Sequence, residues 1–442
     1  MSLAGFPSEV WRNIFRIAVH APNLQDVRPP STSSPWVTVP QHSALNDLRS
    51  SLHVRTSLAR VSQHFREVVT ESIPFDTVLV TNANAHVLRT LCLHHAADNA
   101  SGRRRRGRKI LPAFLSIRHL VVHVFPERQQ HRAKAIRKDI ATVVHYLPHL
   151  VTVALAIDPT SRYIDFVLDS RIAFPLYRAL LFTATQSLRE LVLHGTGKSL
   201  FKQAFLKDFL PAFVKLETLV IEDFDGFGYI PIVLPLTMPR LAYLSIPAAP
   251  LSFSTATQEP NYPRLRRLHL HVRSDLDETE CSSLDAFGKQ ITCFSITMGG
   301  EIGARVHTVR GEHVRRSIFD RFTGLTDLHL ACVPSTLCKL LAGLPSTLLH
   351  LSITMFVIPN VMVKRKTATD WVSFRPELDV IEALPSIPNR CEKIETVRFE
   401  EEKAVRFMQD VVSRGAVQLE RLRKLPFTIE DRMGGSLLDS IS

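Results

Sequence analysis

Cysteine is scarce and scattered. The six cysteines, Cys92, Cys281, Cys293, Cys332, Cys338 and Cys391, form no CxxC pair, which argues against a zinc site or a disulfide framework and fits reduced core thiols. Long apolar runs are missing as well. No stretch reaches the roughly 18 consecutive apolar residues of a membrane-spanning helix. Glu9 and Arg12 interrupt the apolar residues of the amino-terminal stretch, where a signal peptide would keep its apolar core unbroken. No membrane partner is expected, and the expected location is cytoplasm, nucleus or both.

Catalytic signatures are lacking too. His194-Gly195-Thr196-Gly197-Lys198-Ser199 superficially suggests a phosphate loop, but Val192 stands where that motif needs its first glycine, so this segment reads as a turn between repeats. The pairs His94-His95, His119 with His123 and His145 with His149 include no HExxH arrangement, and no cysteine lies at ligand spacing. No serine, cysteine or acid stands out as a nucleophile beside a base. The expectation is therefore no catalytic residue, no metal and no cofactor.

What the chain does have is apolar mass and positive charge. An apolar share of 45% with 22% charged residues is the balance of a folded protein. A formal charge of +12 favours polyanions. Part of that excess is local, because Arg103-Arg104-Arg105-Arg106-Gly107-Arg108-Lys109 carries six positive charges in a loop expected over 101–109. The run suits a nuclear-localisation signal, a nucleic-acid patch or a solvated insertion between repeats. Interleaved aromatics for base stacking are absent nearby, so nucleic acid is not the expected partner.

Beyond residue 72 one pattern returns: an apolar residue, two others, then apolar residues alternating at spacing two. It begins at Phe75, Ile117, Leu150, Leu188, Leu216, Leu241, Leu265, Ile291, Leu325, Leu348 and Ile394, eleven copies in all. Period-two alternation predicts a short strand with one buried face in each. Helix-like segments lie between them, such as 200–210 and 337–341. From Leu188 to Leu265 the starts are 28, 25 and 24 residues apart, and longer intervals run from 33 to 46. A strand-turn-helix unit cannot cover its own apolar face, so neighbours must stack. The region resembles a leucine-rich-repeat solenoid. The resemblance implies an α/β arc with parallel strands on the concave side and helices outside, over 73–425, with 426–442 as a tail. Where that family often has Asn or Cys after the strand, this chain has Thr196, Phe224, Ala249, Arg273, Gly299, Val333 and Phe356, so the solenoid is expected to be irregular.

The first 72 residues differ. Val10, Ile14, Ile17 and Ala18 fall on one face of a helix expected from about Ser8 to Val19, with Pro7 and Glu9 at its start. Pro22, Pro29, Pro30, Ser31 to Ser34 and Pro35 mark a disordered insertion at about 20–50. Helical spacing resumes at Leu52, Leu58, Val61, Phe65, Val68 and Val69. The residues Phe6, Pro7, Glu9, Val10, Ile14 and Phe15, followed by Leu58, Val61, Ser62 and Phe65, resemble the two halves of an F-box, with Phe6 replacing the usual Leu. That resemblance implies a short all-α module binding a Skp-type adaptor, and through it a cullin ligase, by way of Phe6, Pro7, Glu9, Val10, Ile14, Phe15, Leu58, Val61 and Phe65.

Taken together, the two resemblances imply a substrate-recognition subunit of an SCF-type ubiquitin ligase, in which the repeats bind an unidentified target protein. The alternative is a non-ligase leucine-rich-repeat scaffold that binds protein or nucleic acid, its first helices serving as a cap. Outward strand positions give the candidate target-binding residues Val220, Glu222, His269, His271, Ser295, Thr297, Ser352, Thr354, Arg398 and Glu400. His123, His194 and His329 fall on the same expected face. Such strand histidines are expected to be solvated.

Overall fold

In every one of the eleven copies, the strand starts two residues after the leading apolar residue. The structure is a computed structural model. It describes residues 54, 57–58, 60–63, 65, 77–100, 117–124, 130–157, 170–194, 209–222, 232–247, 251–253, 260–272, 284–298, 318–355, 362–364, 371–373, 376–401, 405–406, 409 and 416–439. The helix expected at 8–19, the insertion at about 20–50 and the basic loop at 101–109 lie outside these residues.

The chain divides into two units, the first holding 38–228 and Thr237–Leu241, the second holding Tyr229–Leu236 and Ala242–Ser442. In the first unit, β1 (Thr77–Thr81), β2 (His119–Val124), β3 (Thr152–Ile157), β4 (Glu190–His194) and β5 (Thr218–Glu222) pair in that order. All pairings between them are parallel. Helices α1 (Ala85–Ala100), α2 (Gln130–His145) and α3 (Ser170–Thr183) alternate with these strands, and α2 packs against both α1 and α3. Parallel neighbours need such crossovers, since a tight hairpin can only return a chain antiparallel.

The second unit holds β7 (Tyr243–Pro247), β9 (Arg267–Val272), β10 (Cys293–Met298), β11 (Asp327–Cys332), β12 (His350–Met355), β15 (Thr396–Phe399) and β16 (Thr428–Glu430), again parallel and in that order. Two short pairs stand apart, β6 (Ile232–Leu234) with β8 (Leu251–Phe253), and β13 (Met362–Lys364) with β14 (Trp371–Ser373). Helix α4 (Pro334–Leu341) packs against α5 (Pro376–Ala383), and α6 (Ala416–Arg423) precedes the last strand. The helix expected at 337–341 is thus present, three residues longer at its start. At the end of the segment expected at 200–210 the chain forms the 3-10 turn Leu210–Ala212.

Each strand is tied to the next one step before regular pairing begins. The amides of Val151 and Thr152 both donate to the Arg118 carbonyl at 2.7 and 3.0 Å, and those of Arg189 and Glu190 both donate to the Val151 carbonyl at 2.8 and 3.0 Å. The same fork recurs in the second unit, from Thr292 and Cys293 to Arg266, from Thr326 and Asp327 to Thr292, and from Leu349 and His350 to Thr326. This sharing consumes the backbone donors of the turn, which would otherwise be buried without partners.

Three apolar rows build the core of each unit. In the first, Ile117, Leu150, Leu188 and Leu216 lead, followed by Leu120, Val153, Leu191 and Leu219, then by Val122, Leu155, Leu193 and Ile221, all buried. In the second unit Leu265, Ile291, Leu325, Leu348 and Ile394 occupy the first of the same rows. A further buried position lies three residues before the leading one, and its carbonyl accepts the leading amide: Phe213 to Leu216 at 3.0 Å, Tyr262 to Leu265 at 3.0 Å, Phe322 to Leu325 at 3.3 Å and Cys391 to Ile394 at 3.2 Å.

The strand Thr428–Glu430 revises the expected boundary at 425, since these residues continue the ladder rather than form a tail. Only Ile429 among them matches the apolar alternation, so the pattern did not announce a strand.

Candidate binding surface

Residues that alternate with the core rows lie on the opposite face of each ladder. In the first unit the middle register of that face reads Leu79, Val121, Ala154, Val192 and Val220. Val220, expected to face outward toward a target, is 1% exposed. Its aliphatic neighbours explain this, because an apolar row on a sheet face is driven out of water. Glu222 follows in β5, paired in register with His194.

The second unit is different. Its middle register reads Ser245, His269, Ser295, His329, Ser352, Arg398 and Glu430. These side chains are joined across the strands, mostly on a diagonal that climbs one pleat per strand. Tyr243 Oη lies 3.4 Å from His269 Nδ1, and Ser245 Oγ lies 3.1 Å from His271 Nε2. His269 Nε2 lies 2.9 Å from Thr297 Oγ1. His329 bridges Ser295 Oγ at 2.8 Å and Thr354 Oγ1 at 3.0 Å through its two ring nitrogens. Ser352 Oγ donates to Glu400 at 2.8 Å, and Arg398 donates to Glu430 through Nη2 at 2.6 Å and Nε at 3.1 Å.

This network corrects the expectation of a solvated histidine at position 269, while His271 and His329 keep partial exposure. His269 and Ser295 are fully buried and Ser352 is nearly so. The buried hydroxyls and rings satisfy one another, which removes most of the cost of taking them out of water. Burial, reinforced by the neighbouring rings of His271 and His329, holds His269 well below the usual imidazole range. Burial pushes His329 down to about 4. Of the expected target contacts on this face, His271, Thr297, Thr354, Arg398 and Glu400 keep partial exposure, as do Tyr243, His329 and Glu430. Of the ten expected target-contact residues, eight stand on this polar face, including Arg398, whose guanidinium closes the ladder on Glu430. The other two lie in the first unit: Val220 is buried, and Glu222 has only its backbone described.

Tyr243, Ser245 and Glu430 were not among the expected site residues. Tyr243 and Ser245 alternate correctly with Leu244 and Ile246, so the pattern contained them, whereas Glu430 sits in the strand that the pattern missed.

Of the expected adaptor contacts, Phe6, Pro7, Glu9, Val10, Ile14 and Phe15 lie outside the described residues. Leu58 and Phe65 are half-buried, while Val61 is 65% exposed. Ser62 Oγ accepts the Phe65 amide at 3.0 Å, the geometry of a helix amino-terminal cap.

The described cysteines, Cys92, Cys293, Cys332, Cys338 and Cys391, form no disulfide. Burial pushes Cys92 and Cys391 up to about 11, which leaves them protonated and poorly nucleophilic. Among the described residues no helix is long and apolar enough to cross a membrane, and no cluster of His, Cys, Asp or Glu has the make-up of a metal site. The fold and the surface define an α/β protein of repeated parallel-strand units with one polar, cross-bonded face. No family model matches the chain, and no curated protein matches it in sequence.

Proposed function

We propose that this chain is the substrate-recognition subunit of an SCF-type ubiquitin ligase, working in cytoplasm or nucleus. Residues 1–72 serve as an F-box-like module. Phe6, Pro7, Val10, Ile14, Phe15, Leu58, Val61 and Phe65 give apolar contacts to a Skp-type adaptor, which links to a cullin. The repeats form an irregular leucine-rich-repeat solenoid and hold a target protein through the accessible part of the polar face, His271, Thr297, Thr354, Arg398 and Glu400. The chain performs no chemistry itself. It raises the local concentration of a target lysine beside an activated thioester.

The observation that carries this reading is the F-box spacing of Leu58, Val61 and Phe65, with Val61 left 65% exposed, ahead of an array of repeated strands. An exposed valine on a helix otherwise spaced for packing suits a partner-facing surface. A pull-down with the Skp-type adaptor tests it. The intact chain is expected to be recovered and the double variant Ile14→Asp, Phe65→Asp lost, with circular dichroism showing that the variant keeps its secondary structure. Equal recovery of both rejects the reading.

One observation favours a second reading, a non-ligase repeat scaffold that binds nucleic acid: the six positive charges between Arg103 and Lys109. Contacts to phosphates weaken steeply as salt rises, whereas an apolar adaptor interface hardly responds.

A further inference from the structure

The ladder of the second unit carries two imidazoles that bridge strands, His269 fully buried and His329 partly exposed. His269 lies between Tyr243 of β7 and Thr297 of β10, and His329 lies between Ser295 of β10 and Thr354 of β12. A neutral imidazole donates from one nitrogen and accepts at the other. Hydroxyls stand at both nitrogens of each ring and can donate or accept, so the neutral rings are satisfied in either tautomer.

An added proton could still donate to one of these hydroxyls, but its charge meets no opposite charge there. Facing His269 from β7 are Tyr243 and Ser245, and from β10 Ser295 and Thr297. Facing His329 from β10 are the same Ser295 and Thr297, and from β12 Ser352 and Thr354. None of these supplies a carboxylate. On their own strands, Arg267 and His271 flank His269, the His271 ring centroid lying 4.1 Å away, and Asp327 precedes His329 by two residues. Asp327 is already engaged by His350 at 2.8 Å. The carboxylates farther along the face are committed as well, Glu400 to Ser352 and Glu430 to Arg398. A cation would be fully buried at His269 and partly buried at His329, in both places without an uncommitted carboxylate among the described residues of this face and close to a second histidine.

We infer that the polar face of the second unit is an acid-operated latch: mild acid protonates His269 and His329 only when the hydroxyl-imidazole ladder opens, so strands β9 to β12 separate from their neighbours selectively as pH falls below neutrality. The sign follows from linkage. Both rings have a lower proton affinity in the closed state than in the open state, so the ladder is closed above the ordinary imidazole range and loses stability as pH drops through it. Each ring contributes about a tenfold rise in the opening constant between pH 7.5 and 5.5, and the two together about a hundredfold.

Hydrogen exchange read by mass spectrometry on the full chain tests this at pH 7.5, 6.5 and 5.5, with exchange times scaled for the chemical rate. Peptides covering 267–298 and 327–355 are expected to lose about a hundredfold in protection, while peptides covering 152–157 and 190–194 do not. The double variant His269→Gln, His329→Gln keeps hydrogen-bonding groups but cannot charge, and its protection in the same peptides should be nearly flat with pH. Should that variant not fold, deuterium exchange at the histidine ring carbons of the unaltered chain reads each proton affinity directly. Unchanged protection of 267–298 and 327–355 at pH 5.5, or titration of His269 and His329 in the ordinary imidazole range with the strands still protected, overturns the inference.

Discussion

Among the described side chains of the first unit, Glu190 is the one strand carboxyl that is almost wholly buried, 5% exposed. It stands between Thr152 of β3 and Thr218 of β5 in the ladder register, and the Thr152 hydroxyl donates to its Oε2 at 3.1 Å. Burial pushes its proton affinity up to about 7, against the smaller opposing effect of that hydrogen bond. The unfolded chain gives up this proton near pH 4.5. Between those values the folded chain binds more protons, so this residue's contribution to stability is complete below pH 4.5 and is lost as pH rises through 7. Glu190→Gln keeps the shape and a partner for Thr152 but cannot ionise. The variant is expected to match the unaltered chain near pH 4 and to exceed it by about 3 kcal/mol at pH 8. Urea denaturation at the two pH values checks this, and an equal gain at both would mean that the charge is not the cause. Acid therefore acts in opposite senses on the two ladders, favouring the one that holds Glu190 and opposing the one that holds His269 and His329.

At the scale of strands and turns, the alternating pattern was enough to position β1 to β5, β7, β9 to β12 and β15, because one buried face leaves a strong trace in sequence. The first residue of each strand could be read from its leading apolar residue for a local reason. The turn carbonyl, shared by two amides of the next repeat, fixes where pairing starts. The buried position three residues ahead, filled by residues as different as Phe213, Tyr262 and Cys391, was not legible, since only its size and its carbonyl are common to the repeats. The polar ladder was legible as a face but not as a buried network. Alternation tells which side His269, Ser295 and Ser352 occupy, yet the partners that make their burial tolerable come from strands 20 or more residues away. Most of the missed strand β16 is held by things other than alternation. Its Glu430 takes the Arg398 guanidinium, and the turn after it is tied by Asp431, whose carboxylate accepts the amides of Met433 and Gly435 at 2.8 Å. Gly434 sits in that turn at φ 81°, a left-handed conformation that glycine adopts freely. A chain ending at 425 loses the buried Phe427, Ile429 and Leu437 and the ion pair of Arg398 with Glu430. It is expected to lose on the order of 5 kcal/mol of stability and to self-associate through the bared edge of β15. Light scattering and the urea midpoint measure both effects; an unchanged midpoint would make 426–442 the tail that the pattern suggested.

For the molecule as a whole, the two units have the same backbone plan and opposite chemistry on the sheet face away from the core. In the first, the face away from the core is aliphatic at its middle register, from Leu79 to Val220; in the second, it is a chain of hydroxyls, imidazoles and ion pairs ending in Arg398 and Glu430. A uniform structural scaffold has no need of that difference, whereas a protein that must present one specific surface does, because polar groups held in fixed register discriminate between partners better than apolar ones. Under the proposed function this surface chooses the target, and residues 1–72 connect it to shared machinery. The two roles then separate on cutting the chain. Affinity purification with mass spectrometry, comparing the whole chain with residues 73–442, is expected to recover adaptor, cullin and target with the first and the target alone with the second. Adaptor and cullin that persist with 73–442 would place the docking surface in the repeats, and a target that disappears along with them would place target binding in the first 72 residues; either result breaks the proposed division of labour.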